Sequence, residues 1–469
     1  MQLPLKHSIF FGFIFSTYVL SAQTNNISVW LTNNDRSALF QQQPNKLIFN
    51  EQENSNPKIV VDETKIFQQM DGFGFALTGG SAQHIIHMSS PARNTLLHQI
   101  FDTVNNDIGV SYLRVSIGSS DLNDHVFSYD DVANDTTLLH FNLEEDTADV
   151  IPVLKEILAI NPNIKILGSP WSPPAWMKTN DDTRGGRLKP EYYAVYAKYL
   201  SKYIEEMAKH GIKIDAITIQ NEPLHPGNNP SLLLVAPDEA EFIKNYLGPL
   251  FKKKNVKTKI MIYDHNADRP DYPISILDDA EAAQYIDGSA FHLYGGTIDA
   301  LTDVHNAHPE KNIYFTEQMV VQFNDNDEAA KKIDITSPVN DLIIDAPRNW
   351  SKNVLLWNLA AGADFKPYTD RGGCNICQGA VTIEGDSVEY NLAYYTMAHI
   401  SKFVRPGSVR IASNLLDNLP NVAFKTLNGN KVLIVDNMSN TEQHFNIQYQ
   451  NKTAAALLKP KSVATYIWK

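Results

Sequence analysis

Eight short apolar runs constrain the fold of this chain more than any other feature of its sequence. They are rich in β-branched residues and lie at 71–77, 109–117, 163–170, 213–223, 257–266, 288–295, 312–318 and 353–360. Longer stretches with apolar residues at helical spacing separate them, for example 147–160 and 190–211. Alternating strands and helices are typical of a parallel sheet covered by helices. Eight such strands predict an α/β fold in which a closed (β/α)₈ barrel, a TIM barrel, spans residues 67–400.

Both ends of the chain have a different pattern. The segments 23–66 and 401–469 contain short alternating strands broken by Asn, Gly and Pro, with almost no helical period. This pattern predicts an additional β-sandwich domain, antiparallel and formed from both chain ends. Short linkers near 62–67 and 400–406 are expected to join the sandwich to the barrel.

The first residues resemble an export signal rather than part of the fold. Lys6 and His7 precede an apolar run of 13 residues, 8–20, and a small residue stands at position 22. We expect residues 1–22 to be a signal peptide and the protein to be exported, to the periplasm, the cell surface or the medium. A membrane-spanning helix is the alternative, but it needs roughly 20 apolar residues. No later stretch is long and apolar enough, so no stable membrane insertion is expected.

The charge of the chain bears on its partners. There are 40 Lys and Arg against 53 Asp and Glu, a formal net charge of -13. An acidic surface gives nucleic acid no general electrostatic reason to bind, so we expect no nucleic-acid partner. A neutral ligand remains open, and the sequence carries no indication of the oligomeric state.

The chain has two cysteines, Cys374 and Cys377, in a Gly-rich segment. A zinc site normally uses four Cys or His ligands, and a redox C-x-x-C motif is expected to open a helix instead. In an exported protein a disulfide that shapes one loop is favoured over two free thiols.

Two glutamates come directly after strand candidates. Glu222 ends AITIQNEP and Glu317 ends IYFTEQ, 95 residues later. Three βα units of about 30 residues fit between them, so we place them on the fourth and seventh barrel strands. Polar residues at the carboxyl ends of barrel strands are expected to be catalytic. A pair of carboxyl groups there suits hydrolysis of a glycosidic bond, although a single glutamate of this kind would more often be an ordinary surface residue. No EF-hand or H-E-x-x-H pattern indicates a metal.

Several motifs resemble glycoside hydrolase family 30, the family of lysosomal glucosylceramidase and microbial β-1,6-glucanases. In order and spacing they are DGFGFALTGG, YLRVSIGSSDL, LGSPWSPPAWMKTN, AITIQNEP, FHLYGG, FTEQ and LLWNLA, and the resemblance covers nearly the whole chain after the signal peptide. It implies a retaining β-glycosidase that needs no cofactor. It also implies that Glu222 is the general acid/base and Glu317 the nucleophile.

The resemblance also implies roles for other positions. Supporting residues are Arg114 beneath the nucleophile, Asn221 facing the sugar 2-hydroxyl and Tyr294 donating to the nucleophile. Residues expected to contact the sugar are Asp121, Trp171, His292 and Trp357. Trp176 and Tyr263 are as consistent with core or rim positions as with substrate contact.

The substrate is indicated less sharply. The loop TDRGGCNICQG, residues 369–379, looks more like that of microbial β-1,6-glucan enzymes than that of the lysosomal enzyme. We therefore expect β-1,6-linked glucose, as in pustulan or laminarin branches. Glucosylceramide is the alternative substrate, and a non-catalytic carbohydrate-binding relative is the alternative of another class.

Overall fold

The computed structural model describes residues 26–51, 54–322 and 332–469. The signal peptide predicted at 1–22 lies outside the described residues. Numbered along the chain, the strands are β1 (Asn26–Asn33), β2 (Gln41–Gln42), β3 (Leu47–Ile48), β4 (Lys58–Gln69), β5 (Gly72–Ala76), β6 (Tyr112–Ile117), β7 (Lys165–Pro170), β8 (Ala216–Thr218), β9 (Lys259–Ala267), β10 (Ile286–Gly296), β11 (Asn312–Glu317), β12 (Asn353–Asn358), β13 (Ala360–Ala361), β14 (Val381–Glu384), β15 (Ser387–Tyr390), β16 (Val409–Ser413), β17 (Asn421–Lys425), β18 (Lys431–Asn437), β19 (Gln443–Tyr449), β20 (Lys452–Leu458) and β21 (Ser462–Trp468).

The helices of the described residues cover the barrel. They are α1 (Gly79–His87), α2 (Ser90–Phe101), α3 (Glu144–Thr147), α4 (Val150–Ile160), α5 (Tyr193–Lys209), α6 (Ala236–Phe242), α7 (Gly248–Lys254), α8 (Asp271–Leu277), α9 (Ala280–Ala283), α10 (Ala300–Ala307), α11 (Thr336–Pro338), α12 (Asp345–Arg348) and α13 (Leu392–Ser401). Short 3₁₀ turns occupy Ala175–Met177 and Pro190–Tyr192, and π-helical turns occupy Ile243–Leu247 and Val339–Ile344. Among the described residues, no helix is long and apolar enough to cross a membrane.

The predicted barrel is confirmed. Strands β5 to β12 form one parallel sheet in the order β11-β10-β9-β8-β7-β6-β5-β12. A parallel bridge between Ile313 and Ser351 joins its two end strands, and the Lys352 N–H donates to the Ile313 carbonyl at 2.9 Å. The sheet therefore comes close to full closure, and the carboxyl ends of its strands meet at one rim.

The inside of the barrel is layered. Seven strands contribute one apolar layer, made of Tyr112, Leu167, Ala216, Met261, Ala290, Tyr314 and Leu355. Side chains on a strand alternate, so the residue two positions on points the same way, one layer nearer the rim. On five of these strands that residue is polar, namely Arg114, Ser169, Thr218, His292 and Thr316. The barrel core thus changes from apolar to polar directly below the rim.

The additional β-sandwich domain built from both chain ends is also confirmed. Its strands pair in the order β2-β1-β21-β18-β17-β16-β4-β19-β20, with β3 on β1. The expectation of a purely antiparallel sandwich is wrong for one pair, because β4 and β19 run parallel. The linker expected near 62–67 is also wrong, since those residues continue β4, which leads from the sandwich directly to the barrel.

The sandwich and the barrel share a core. Val422, Phe424 and Val432 of the sandwich belong to the same buried apolar cluster as the barrel helices. His399 on α13 is buried and bonded to the hydroxyls of Thr32 and Thr465, at 2.8 and 2.9 Å. The carboxyl end of α13 is therefore hydrogen-bonded to strands from both ends of the chain.

Candidate active site

A cavity of about 270 Å³ opens at the rim where the barrel strands end. Its walls are formed by Asp121, Trp171, Asn221, Glu222, His225, Asn228, Asn266, Tyr294, Glu317, Met319, Trp357, Cys374 and Cys377. Most of these residues follow different strands, so the cavity is assembled by the closure of the barrel. Aromatic faces and convergent polar groups in one concave site are typical of a small-ligand pocket.

The two glutamates lie on the strands that their spacing predicted. Glu317 ends β11, the seventh barrel strand. Glu222 follows β8, the fourth, in a backbone conformation with φ 46°, and its N–H donates to the Asp264 carbonyl at 3.0 Å. A left-handed backbone conformation is strained for a residue other than glycine. The hydrogen bond to Asp264 holds Glu222 in this conformation at the rim.

The carboxyl groups of Glu222 and Glu317 face each other. One oxygen of each, together with a ring nitrogen of His292, lies within 4.8 Å of the others. Retaining glycosidases place their two carboxyl groups about 5 to 5.5 Å apart, and inverting ones about 6.5 to 9.5 Å. The approach of these two oxygens to within 4.8 Å agrees with the shorter class.

The surroundings of Glu317 favour its ionised form. Arg114 Nη1 donates to Oε2 at 2.5 Å, and the Tyr294 hydroxyl donates to Oε1 at 3.0 Å. Burial raises the pKa of the Glu317 carboxyl, while the charges of His292 and Arg114 act against burial. Both lone-pair regions of this carboxylate are thus held by fixed donors.

Glu222 has weaker partners. The Asn228 amide donates to Oε2 at 3.4 Å, and the His292 ring nitrogen Nδ1 is 3.6 Å from Oε1. Burial acts to raise the pKa of the Glu222 carboxyl, but the proximity of His292 more than offsets burial and lowers it. Because Glu222 and Glu317 are so close, ionisation of one raises the pKa of the other, and the two titrate as a pair.

Asp264 organises the layer beneath the glutamates, and the sequence did not predict it. Its Oδ2 accepts from Arg114 at 2.9 Å and from Thr218 at 2.8 Å. Its Oδ1 accepts from Thr316 at 2.6 Å and faces His292 Nε2 at 3.0 Å. Burial would raise the pKa of Asp264, but Arg114 and His292 more than offset this and hold it well below its usual range.

A bulge in β9 places Asp264 in this position. Strict alternation from Met261 would point Tyr263 into the barrel and Asp264 outward. Tyr263 and Asp264 instead have φ values of 76° and 54°, and the register with β10 shifts at this point. The extra residue turns Asp264 inward, which explains why a regular strand pattern did not reveal it.

His292 lies beside the two glutamates. It is fully buried and is not among the residues that line the cavity, so its contact with the sugar stays a prediction. It is one layer deeper in the barrel than Tyr294 on the same face of β10. Burial alone would lower the pKa of His292, but Glu317, Asp264 and Glu222 raise it to about 9. The imidazole is therefore a cation near neutral pH.

Two tryptophans form an aromatic surface beside the glutamates. Trp171 and Trp357 stack with ring centroids 5.5 Å apart, and the Arg114 guanidinium lies 4.8 Å from the Trp171 ring centroid. The buried indole N–H of Trp171 finds no hydrogen-bond partner within the described residues. An aromatic face with an unused donor suits the CH and hydroxyl groups of a sugar.

Asp121 is the remaining residue that was expected to contact the sugar. It lines the cavity, and its backbone carbonyl accepts from the Thr369 N–H at 2.9 Å. Burial, together with the charges of Glu317 and Glu222, raises the pKa of the Asp121 carboxyl to about 7. Near neutral pH this group can donate as well as accept a hydrogen bond.

Comparison with known proteins decides the family. The family model for the glycosyl hydrolase family 30 TIM-barrel domain matches residues 70–404, and the model for the family 30 β-sandwich domain matches residues 407–466. The chain belongs to glycosyl hydrolase family 30. It is therefore a glycoside hydrolase, an enzyme that acts on carbohydrate.

Relatives of this family 30 hydrolase include enzymes with two named activities. The endo-1,6-beta-D-glucanase neg1 of Aspergillus fumigatus is 34% identical over 375 residues, covering 75% of this chain and 74% of that protein. The lysosomal acid glucosylceramidase of Mus musculus is 29% identical over 433 residues, covering 88% and 83%. Among solved structures, the endo-beta1,6-glucanase BT3312 superposes with a TM-score of 0.87 at 32% identity, covering 94% of this chain and 99% of that one.

Several residues of the family 30 site were missed by sequence reasoning. His225, Asn228, Asn266 and Met319 line the cavity from loops or strand ends. For Asn228 the sequence offered one indication, its position only six residues after Glu222. In the structure its amide donates to Glu222. The others gave no pattern that distinguishes them from ordinary loop residues.

The two cysteines also belong to this site. Cys374 and Cys377 form a disulfide, and both line the cavity. The side chain of Cys377 packs in one apolar cluster with Trp171 and Trp357. The sequence indicated the bond but not its place beside Glu222 and Glu317.

Glu222, His292 and Glu317 are also close enough to hold a metal ion. A metal would need a neutral imidazole, whereas the surrounding carboxylates raise the pKa of His292 to about 9. Arg114 already occupies one oxygen of Glu317. These side chains are better suited to acid–base and nucleophilic chemistry than to metal binding.

Proposed function

We propose that this family 30 hydrolase cleaves β-1,6-linked glucan by double displacement, with Glu317 as nucleophile and Glu222 as general acid/base. The observation that carries the mechanism is the approach of one oxygen of each carboxyl group to within 4.8 Å of the other. The substrate is supported by the similarity to the Aspergillus fumigatus glucanase and to BT3312, whose names state activity on β-1,6-glucan.

In the first step, Glu317 attacks the anomeric carbon while Glu222 protonates the departing glycosidic oxygen. The bond to the leaving sugar breaks, and a covalent ester forms between the sugar and Glu317. Arg114 and Tyr294 hold the attacking carboxylate in one orientation by their bonds to its two oxygens. Holding the carboxylate in one orientation lowers the entropic part of the activation barrier.

The proton needed in this step is assigned to Glu222. Arg114 contacts Glu317 directly, whereas His292, at 3.6 Å, is the cation paired with Glu222 among the described residues. The proton shared by the pair therefore lies on the carboxyl without the guanidinium contact. The charge of an ionised Glu317 favours the protonated form of Glu222 over a second charge in the same site.

In the second step, Glu222 acts as a base. It removes a proton from water, which attacks the anomeric carbon and releases Glu317 from the ester. Two inversions at the same carbon give net retention. Asn221, whose Oδ1 accepts from Arg114 at 2.7 Å, keeps its amide N–H groups for the sugar 2-hydroxyl.

Glucosylceramide is the second candidate substrate, and the similarity to the mouse glucosylceramidase favours it. A net charge of -13 makes approach to an anionic bilayer unfavourable. This electrostatic argument, together with the loop at 369–379, places polysaccharide ahead of lipid. We also propose that the protein is exported, on the basis of the apolar segment at 8–20.

The test is a substrate panel with the purified protein: gentiobiose, pustulan, laminarin, xylan and glucosylceramide, with products separated by chromatography. We expect rapid cleavage of gentiobiose and pustulan, and NMR of the first product should show the β-anomer. Faster hydrolysis of glucosylceramide would overturn the substrate proposal. A first-formed α-anomer would overturn the mechanism.

Variants of the two glutamates test their roles. Glu222→Gln should lower kcat on pustulan by about 10²–10⁴-fold, the usual contribution of general acid–base catalysis. Glu317→Gln should abolish turnover while binding of gentiobiose survives in calorimetry. Glu156→Gln, on helix α4 outside the barrel, is the control and should retain full activity. Near-normal activity of Glu317→Gln would refute the nucleophile assignment.

A further inference from the structure

The disulfide loop, residues 366–379, runs from the outside of the barrel to the wall of the sugar cavity. The bonded pair Cys374 and Cys377 lines the cavity, and Ile376 between them is 49% exposed. Cys377 itself is 3% exposed and packs in the same cluster as Trp171 and Trp357. The disulfide is therefore one side of the aromatic surface beside the catalytic pair.

The same loop contacts other parts of the site. The Thr369 N–H donates to the carbonyl of Asp121, which lines the cavity, and the Thr369 hydroxyl donates to the Asn229 carbonyl. The Asn229 amide donates to the Asp370 carboxylate at 2.9 Å. Asn229 lies in the segment that follows Glu222, so the disulfide loop is bonded to two of the loops that form the sugar site.

Nothing in the secondary structure holds the tip of this loop. Residues 362–380 lie between β13 and β14 and contain neither helix nor strand. Near the tip, the Asn358 amide donates to the Cys377 carbonyl at 3.4 Å, and Gly372 and Gly373 precede the bond. A flexible Gly-rich segment needs a constraint to present one side chain at a fixed place. The covalent bond supplies that constraint.

We propose that the Cys374–Cys377 disulfide is a positioning element for substrate binding, which holds Cys377 against Trp357 and so fixes the wall of the sugar site. The proposal rests on the proposed function, since it concerns the same cavity. The bond closes a very small loop, so it restrains little of the unfolded chain and adds little to global stability. Its loss should therefore weaken substrate binding without unfolding the protein.

The chain has only two cysteines, so reduction acts on this bond alone. The experiment measures hydrolysis of gentio-oligosaccharides by the oxidised enzyme, the enzyme reduced with a phosphine, and the double variant Cys374→Ala/Cys377→Ala. Reduction and the double substitution should each raise KM by about tenfold, the scale of one lost packing contact in a pocket. We expect kcat to change less than KM, and the melting temperature to stay nearly constant.

The double variant is the matched control for the phosphine. Because it has no disulfide, its KM should not change when the phosphine is added. Equal KM values for the oxidised and reduced enzymes would overturn the proposal. A loss of activity that follows a falling melting temperature would also overturn it, since the bond would then be structural.

The two proposals fail in different ways. If the oxidised enzyme does not hydrolyse gentio-oligosaccharides, the proposed function fails. In that case, calorimetry of Glu317→Gln with the sugar that the substrate panel identifies, before and after reduction, still measures the effect of the disulfide on binding. An unchanged dissociation constant there would refute the positioning role independently.

Discussion

Asp264 and Arg114 form an ion pair 2.9 Å long at the centre of the barrel, and neither side chain is exposed to solvent. The same guanidinium contacts Glu317 at 2.5 Å, so the position of the proposed nucleophile depends on a carboxylate that does not itself reach the cavity. Buried ion pairs tolerate poorly the loss of one partner, because the remaining charge is left uncompensated. We therefore infer that Asp264 positions the proposed catalytic pair.

The first prediction concerns this ion pair. Asp264→Asn keeps the shape of the side chain but removes its charge, so Arg114 and His292 lose the negative charge that they share. We expect kcat on pustulan to fall by about 10²-fold through misplacement of Glu317. The free energy of unfolding should fall by about 3 kcal/mol, measured by denaturant titration.

A second buried aspartate separates the effect on kcat from the effect on the free energy of unfolding. Asp146 accepts from the Tyr129 hydroxyl at 2.6 Å, and it does not line the sugar cavity. Asp146→Ala should lower the free energy of unfolding by about 1 to 3 kcal/mol, because the Tyr129 hydroxyl loses its partner. Its kcat should remain normal. A comparable loss of kcat in Asp146→Ala would show that the Asp264 effect is only loss of stability.

The second prediction separates the roles of the two glutamates by leaving group. An aryl glucoside with an acidic phenol needs little protonation as it departs, so Glu222→Gln should lose far less activity in the glycosylation step on it than on gentiobiose. Glu317→Gln should lose activity equally on both substrates, since each must be attacked. Burst kinetics with the aryl glucoside measure the first step directly. Equal losses in Glu222→Gln on the two substrates would contradict its role as the acid.

The strand positions of the catalytic candidates were predictable from the sequence, and the reason is periodicity. Glu222 and Glu317 each follow a strand candidate, and the number of residues between them counts the βα units. Asp264 was not predictable, because a bulge of one residue reverses the alternation on which such reasoning depends. His292 was placed at the correct strand end, but the sequence did not show that it is fully buried.

The pairing of strands that are distant in the sequence was also not predictable. Both chain ends were predicted to form one sandwich, but the parallel pairing of β4 with β19 depends on how the chain enters the barrel, which no local pattern encodes. Asn228 and His225 line the cavity from a loop whose course is set by contacts with the disulfide loop. Loop residues without a period are visible only once the fold has brought them together.

The third prediction is a pH effect at His292. Surrounding carboxylates raise the pKa of His292 from 6.5 to about 9 in the folded protein, although burial acts against them. A raised histidine pKa contributes stability that is fully present below pH 6.5 and is lost as the pH rises through 9. The shift corresponds to roughly 3 kcal/mol. His292→Gln should be less stable than wild type at pH 6 and should approach it at pH 9.5.

Denaturant unfolding of both proteins across this range checks the prediction. A constant difference between His292→Gln and wild type from pH 6 to 9.5 would contradict a charged His292 in the folded enzyme.

The last prediction concerns a buried carboxyl in the sandwich. Asp436 on β18 is fully buried, and neither of its carboxyl oxygens has a hydrogen-bond partner within the described residues. Burial raises its pKa to about 9; Lys461 opposes this shift, while Asp334 and Asp341 add to it. In the unfolded chain the group ionises near pH 4, so the native state loses stability relative to the unfolded state as the pH rises from 4 to 9.

Asp436→Asn removes this titration from both states. Its free energy of unfolding, relative to wild type, should therefore rise with pH over this interval, by up to about 1.4 kcal/mol per unit. Urea unfolding at pH 5 and pH 8 measures the difference. The exposed Asp62, treated in the same way as Asp62→Asn, should show no such gain between pH 5 and pH 8. A variant that is no more stable than wild type at pH 8 would mean that Asp436 already ionises in the fold, with its charge compensated by Lys461.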